Sequence, residues 1–352
     1  MTRRTPPRPL VLAVAGLALA GTSLTGCRDS RSTAATSDGM PSVKIMVGGI
    51  DKVIYLPAKL TEQLGYFRDA GVKVQLLTEP SGAQAENVLI SGDVQGVVGF
   101  YDHTIDLQTK GKCIQSVVQF ADVPGEAEVV ATSMAGKVST PAGFKGLRLG
   151  ITSPGSSTDF LTQALATRSG LGSDAYTRVK AGAGQTFIAA LDNGGIQAGM
   201  TTDPTIARLT KTGKAKVMVD MRTREGTQAA LGGLYPASSL YMDCAWVKNN
   251  KAAVQKLVNA FVRTLSFIKA SSAEQIAAKM PADYAGDDPK LYAQAIKDSK
   301  GMFTADGVMP EAGAKNVLEV LASFSPNVKG KKDKINLSET YTTEFVKAVP
   351  KS

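Results

Sequence analysis

Histidine occurs once in the 352 residues, as His103, and cysteine three times, as Cys27, Cys113 and Cys244. With a single imidazole and no Cys-x-x-Cys pair, no metal-ligand spacing exists, and neither a metal nor a cofactor is expected. A Cys113–His103 nucleophile–base pair is unsupported too, because His103 falls at a predicted helix start, Cys113 at a predicted strand start, and no orienting third group is evident. Aromatic residues make up only 6% of the chain while glycine numbers 35, which favours an α/β protein rich in turns over a large β-sandwich. Past the amino terminus, no apolar run approaches the roughly 20 residues a bilayer-spanning helix needs. The densest basic run, Lys329 to Lys334, is broken by Gly330 and Asp333 and carries no interleaved aromatics. Nucleic acid is therefore not an expected partner.

The amino terminus carries the clearest pattern. Arg3, Arg4 and Arg8 precede an apolar run from Leu10 to Ala20, followed by Leu24-Thr25-Gly26-Cys27. Positive, apolar, then small is the layout of a secretory signal, and the apolar run is too short to span a membrane. Leu-Thr-Gly-Cys resembles the lipobox of bacterial lipoproteins. That resemblance implies a signal peptide over 1–26, cleavage before Cys27 and a diacylglycerol on its thiol. An ordinary signal with an incidental cysteine is the alternative. Thr5-Pro6-Pro7 after Arg3-Arg4 does not fit a twin-arginine motif. Residues 27–40 are small and polar with almost nothing to bury, as befits a flexible tether. The formal charge of +9 includes the three signal arginines. What remains is mildly basic, a field that attracts anionic ligands or surfaces or simply keeps the protein soluble.

The remainder alternates strand and helix. Val43–Val47 reads as a strand, and a helix follows from about Leu56 to Ala70 with Leu56, Leu60 and Leu64 on one face. Val72–Leu77 and Gly96–Phe100 read as strands around a helix carrying Val88, Leu89 and Ile90. A helix from near Asp102 leads to a strand over Ile114–Phe120. The same grammar then restarts. Strands are expected at Gly146–Ile151, Tyr176–Lys180, Ile196–Met200 and Lys216–Asp220, separated by helices through Phe160, Phe187 and Ile206. Alternation of this kind predicts parallel sheets covered by helices. An extended segment over Ser239–Trp246 and a long amphipathic helix from Val254 to Ile268 open a helical carboxy-terminal third.

Two α/β units followed by a helical return predict a second lobe inserted into the first. Lobe 1 is expected over 41–135 and 236–352 and lobe 2 over 136–235, with the chain crossing near 130–140 and 230–240. An oxidising compartment permits a Cys113–Cys244 disulfide, and two buried thiols are the alternative.

Four stretches, 60–74 (Leu60 to Val74), 91–99 (Ser91 to Gly99), 144–151 (Phe144 to Ile151) with Pro154-Gly155-Ser156-Ser157, and 191–199 (Leu191 to Gly199), follow one another in a characteristic order and spacing. Together they resemble the solute-binding proteins of ABC importers for nitrate, sulfonate and taurine, the NMT1/THI5-like group that also includes relatives binding thiamine precursors. Gln95 and Gln197 stand where that pattern has Asp. The resemblance implies a two-lobed periplasmic-binding-protein fold of type II. It also implies a small-molecule ligand, an ABC permease with its ATPase as partner, a monomer, and an exported, lipid-anchored location.

Ligands of open α/β sheets sit outside the carboxyl ends of the strands. The loops there carry Asp51, Tyr55, Ser81, Gly82, Tyr101, Asp102, His103, Ser156, Ser157, Thr158, Gln185, Thr201 and Asp203. Ser81-Gly82 and Ser156-Ser157 precede helices, whose amino ends attract anions, although simple capping accounts for such serines as well. Tyr55 and Tyr101 are expected to wall an apolar or aromatic solute. Asp102 and Asp203 suit a cationic amine better than an anion, and the candidate loops hold no arginine. The expected solute is thus anionic, zwitterionic or heterocyclic, bound without covalent chemistry. The rivals are an enzyme on the same fold, a lyase or pyrimidine-precursor synthase using His103 and Asp102, and a ligand-sensing partner of a membrane kinase.

Overall fold

A computed structural model describes residues 34–35 and 39–350. Cys27 and the signal lie outside the described residues. Among the described residues eleven strands run β1 (Ala34–Ala35), β2 (Pro41–Val47), β3 (Lys73–Thr78), β4 (Gly96–Phe100), β5 (Ile114–Gln119), β6 (Glu126–Ala131), β7 (Arg148–Ile151), β8 (Thr177–Lys180), β9 (Ala198–Thr202), β10 (Ala215–Asp220) and β11 (Ser238–Asp243). They form two mixed sheets with helices packed on them. In the first sheet β2 lies between β3 and β4, both parallel to it, and β11 runs antiparallel between β4 and β5. The short β1 pairs with the start of β2. In the second, β7 lies between the parallel β8 and β9, and β6 runs antiparallel between β9 and β10.

The two sheets thus repeat one plan, and each receives its antiparallel strand from the chain as it crosses from the other. Residues 126–131 were expected in lobe 1, but β6 hydrogen-bonds only to strands of the second sheet. The chain passes from the first sheet to the second between Gln119 and Glu126 and returns between Asp220 and Ser238. The central strand β4 is buried along its whole length, because helices cover both faces, whereas edge strand β3 alternates.

The helix expected from Leu56 to Ala70 is two helices, Leu56–Gln63 and Tyr66–Asp69. Gly65, at φ 74°, takes the left-handed conformation that ends the first and caps the second. Both pack on the long helix Lys251–Ala270, through Thr61 against Thr264 at 2.7 Å and Phe67 edge-on to Phe261 at 5.2 Å. The carboxy-terminal helices serve both lobes. Pro289–Ser299 packs on Thr205–Lys211 of the second lobe. Glu311–Phe324 lies against both Ser157–Arg168 and Asp102–Gln108.

Cys113 and Cys244 are joined in a disulfide with Cα atoms 5.5 Å apart. They flank the paired residues Ile114 and Asp243, at the end of the sheet away from the Phe100–Ser238 pair that leads into His103. This placement removes Cys113 as a partner for His103.

Candidate ligand-binding cleft

The loops after β2, β3 and β4 face those after β7 and β9 across the boundary between the sheets. Val53 N–H donates to the Asp203 carbonyl at 3.0 Å, and the His103 ring meets Phe160 of the second lobe edge-on at 5.9 Å. A cavity of about 620 Å³ opens at this boundary, lined by Asp51, Lys52 and Lys59 from one side, Thr205 and Arg208 from the other, and Tyr284 from the carboxy-terminal helices.

Behind it lies a buried polar cluster. The loop after β2 carries Lys52, whose Nζ donates to the carbonyls of Gly48 at 2.7 Å and Pro80 at 3.1 Å. Burial lowers its pKa to about 8 against the pull of Asp51 and Glu126. Glu126, at the start of β6, accepts from Ser157 Oγ at 2.8 Å through Oε1, while Oε2 is buried with no partner. Burial pushes its carboxyl up to about 8, with the Ser157 hydrogen bond opposing. Asp102, fully buried, accepts from Tyr235 OH at 2.8 Å on Oδ2 and leaves Oδ1 unpartnered. Its carboxyl too is raised by burial, against His103 and the Tyr235 hydrogen bond. Glu128 sits two residues along the same strand, and both its oxygens are buried without partners. Burial and the neighbouring Glu126 charge hold it protonated well beyond the ordinary range.

His103 lies between carboxylates. Its Nδ1 is 3.3 Å from Tyr241 OH and 3.8 Å from Glu86, and its Nε2, 3.8 Å from Asp102 Oδ1, has no hydrogen-bond partner. Two glycines make this arrangement possible by close approach. A Cβ on Gly82 would stand 2.7 Å from His103 Cε1, and one on Gly99 would stand 2.8 Å from Tyr241 OH.

The residues singled out in the sequence separate into groups. Tyr55, Asp102 and His103 belong to the buried cluster or its edge, Tyr55 feeling the charges of both Glu126 and Asp102. Ser157 does as well, as the partner of Glu126. Asp51 lines the cavity, whereas Gln185 is exposed at the start of helix Gln185–Asp192. Ser81 caps its helix, accepting from Gln84 N–H at 3.3 Å, and Gly82 follows as the seat of His103. Ser156 Oγ is taken up by the Ser153 carbonyl and Thr158 Oγ1, which also accepts from Thr152 N–H. Thr201 is buried with its hydroxyl unpartnered.

Two expectations do not hold. Tyr101 does not wall the cleft: its hydroxyl bonds Thr340 at 2.5 Å and its ring meets Tyr341, both in the carboxy-terminal segment. Asp203 is not open to a ligand, since its carboxylate accepts from Arg222, Ser299 Oγ and Ala207 N–H. The amino end of helix Ser157–Arg168, expected to draw an anion, instead faces the protein's own acids. Asp159 accepts from Gly155 N–H at 2.8 Å and Glu126 sits on Ser157. Lys52, Glu126 and Glu128 were missed. An acidic pair in an otherwise apolar stretch, Glu126-Ala127-Glu128-Val129-Val130, was the available signal.

The profile of the family described as NMT1/THI5 like matches residues 55–274. A solved structure from Bordetella bronchiseptica RB50 is 33% identical with a TM-score of 0.83, over 87% of this chain and 96% of that one. The alkanesulfonate-binding protein SsuA from Xanthomonas axonopodis pv. citri, bound to MOPS, shares the fold at 16% identity and a TM-score of 0.70, over 86% and 98% of the two chains. The periplasmic nitrate-binding protein NrtA from Synechocystis PCC 6803 does so at 12% identity and 0.70, over 87% of each. No curated protein matches the sequence.

Proposed function

This chain belongs to the NMT1/THI5-like family, and on that footing we propose that it is the solute-binding component of an ABC importer, exported and lipid-anchored through Cys27. The observation that carries the reading is the boundary between two sheets of one plan. Loops from the carboxyl ends of both sets of parallel strands meet there, around a cavity of about 620 Å³. Each lobe contributes buried polar atoms that lack partners, Asp102 and His103 from the first and Glu126 and Ser153 from the second. Such atoms are costly unless something satisfies them. A solute reaching both sets stabilises the form in which the lobes touch, so occupancy is linked to closure. The closed form is then the one a permease recognises. Binding by similarly folded proteins of alkanesulfonate and nitrate supports the same use of the cleft.

Transfer without chemistry is the simplest role for these groups. His103 has no nucleophile beside it, and Tyr241, its hydroxyl neighbour, is fully buried. The test is native mass spectrometry of protein released gently from the cells that make it. One small molecule per chain, recovered unchanged after denaturation, is the expected result. A protein that converts the recovered solute to a product would overturn the reading in favour of an enzyme.

A further inference from the structure

On the reading that this cleft holds the transported solute, we propose that the solute is an organic cation presenting at least two N–H donors, gripped between Asp102 of the first lobe and Glu126 of the second. The two carboxyl groups are built alike. In each, one oxygen is fixed by a neighbouring hydroxyl, Tyr235 OH for Asp102 and Ser157 Oγ for Glu126, both at 2.8 Å. The other oxygen is buried and unpartnered. Asp102 is 0% exposed and Glu126 1%. The locking hydroxyl holds each carboxyl in place and leaves one oxygen to be filled, an acceptor once the incoming cation displaces the proton that burial retains there. The two acceptors belong to different sheets, so one ligand satisfying both bridges the lobes.

The balance of charge within the cluster favours a cation. An anion needs donors, and Lys52, which reaches both cluster and cavity, is already engaged, while Lys59 and Arg208 line the cavity rather than the cluster. Lys52 Nζ donates to two carbonyls, Arg222 is bound by Asp203 and Asp220, and Arg224 pairs with Asp122. An anion entering here would meet the oxygens of Asp102 and Glu126, with the protonated Glu128 one side chain further along the same face of β6. A cation meets acceptors with open valence, strengthened by the low-dielectric surroundings. Tyr55, which senses both carboxyl groups, and Phe160, edge-on to His103, supply ring surfaces of the kind that favour a cation. The chain thus shares the fold of the alkanesulfonate- and nitrate-binding proteins while presenting two carboxyl groups to its solute.

Thermal shift and titration calorimetry on the full exported protein test this directly. The probes are agmatine, benzamidine and ethanolamine on one side, and taurine, methanesulfonate and nitrate on the other. At least one cation is expected to raise Tm, and Glu126→Gln and Asp102→Asn are each expected to weaken it tenfold or more. Both replacements keep side-chain shape, and near-ultraviolet circular dichroism confirms that the variants are folded. Stabilisation by an anion with none by a cation overturns the ligand class and leaves the solute-binding reading standing. Cation binding indifferent to both replacements overturns the two-carboxylate grip. No stabilisation by either set overturns the proposal together with the reading it rests on.

Discussion

Ser157 Oγ donates to Glu126 Oε1 at 2.8 Å, and among the described residues this is the one hydrogen bond that the buried Glu126 carboxyl makes. A carboxyl so placed stays protonated far above its ordinary range, and that has a consequence for stability. Between its usual value of 4.5 and the folded value of about 8, the native state binds a proton that the unfolded state has lost. The unliganded protein therefore loses stability as pH rises through this window. Lys52, lowered from 10.5 to about 8, works the other way: the unfolded state holds the extra proton between about 8 and 10.5, so stability recovers there. The pair's own contribution is least near pH 8, and Asp102 and Glu128, raised in the same direction as Glu126, add to the fall. Glu126→Gln removes that residue's share of the falling limb, on the order of 5 kcal/mol. Thermal unfolding followed from about pH 5 to 10 distinguishes the two proteins, and parallel curves would refute the assignment.

Gly82 is the seat of the His103 ring. A methyl group there would stand 2.7 Å from Cε1 and 3.6 Å from both ring nitrogens. Gly82→Ala is expected to cost about 1–3 kcal/mol through overpacking and to swing the imidazole away from Tyr241. His103 is the chain's single histidine, so its NMR resonances report the movement without assignment. Combining Gly82→Ala with His103→Ala should recover part of the loss, because the two side chains clash with each other. Simple addition of the two effects would mean that the clash is not with the ring.

The repeated α/β plan was legible because its signals are local. Runs such as Gly96-Val97-Val98-Gly99-Phe100 can only be buried strands, and glycine or proline marks the turns between them. Strand β6 was not legible. Its two glutamates look like a solvated loop, and only pairing with β9 and β10, over sequence distances that composition does not encode, makes it the middle of a sheet. The same remoteness hid Lys52, whose carbonyl partners lie on two loops. The Tyr101 misassignment has a related cause. Position beside Asp102 suggested a cleft wall, but a segment more than two hundred residues later claims its hydroxyl. Loops that follow strands were found correctly, and which way each side chain turned was decided by tertiary packing.

Removing the disulfide should separate stability from binding. Cys113 and Cys244 close a loop of 131 residues, for which chain entropy predicts about 4–5 kcal/mol and measured cases run from about 2 to 5. The Cys113→Ser, Cys244→Ser double variant is expected to unfold at correspondingly lower urea concentration. Because the bond lies at the end of the first sheet away from His103, a ligand that stabilises the parent should stabilise the variant by a similar amount. Loss of that ligand response in a folded variant would place the disulfide in control of the cleft.

Asp203 joins three parts of the chain. Its carbonyl receives Val53 N–H from the first lobe, and its carboxylate receives Ser299 Oγ at 2.7 Å from the carboxy-terminal helices and Arg222 at 3.0 Å from the second lobe. Asp203 is 0% exposed, and burial alone would raise its carboxyl. Arg222 is what keeps the charge tolerable, and it is anchored in turn by two contacts to Asp220. Arg222→Met keeps most of the side-chain volume but strands the acid, at an expected cost of about 3–5 kcal/mol. Adding Asp203→Asn removes the stranded charge while leaving an amide whose oxygen accepts from Ala207 N–H and whose nitrogen donates to Ser299 Oγ, so the double variant should be more stable than Arg222→Met alone. Urea unfolding of the three proteins measures the coupling. If the double variant were the least stable of them, Asp203 would be held by its hydrogen bonds alone and Arg222 would contribute only packing.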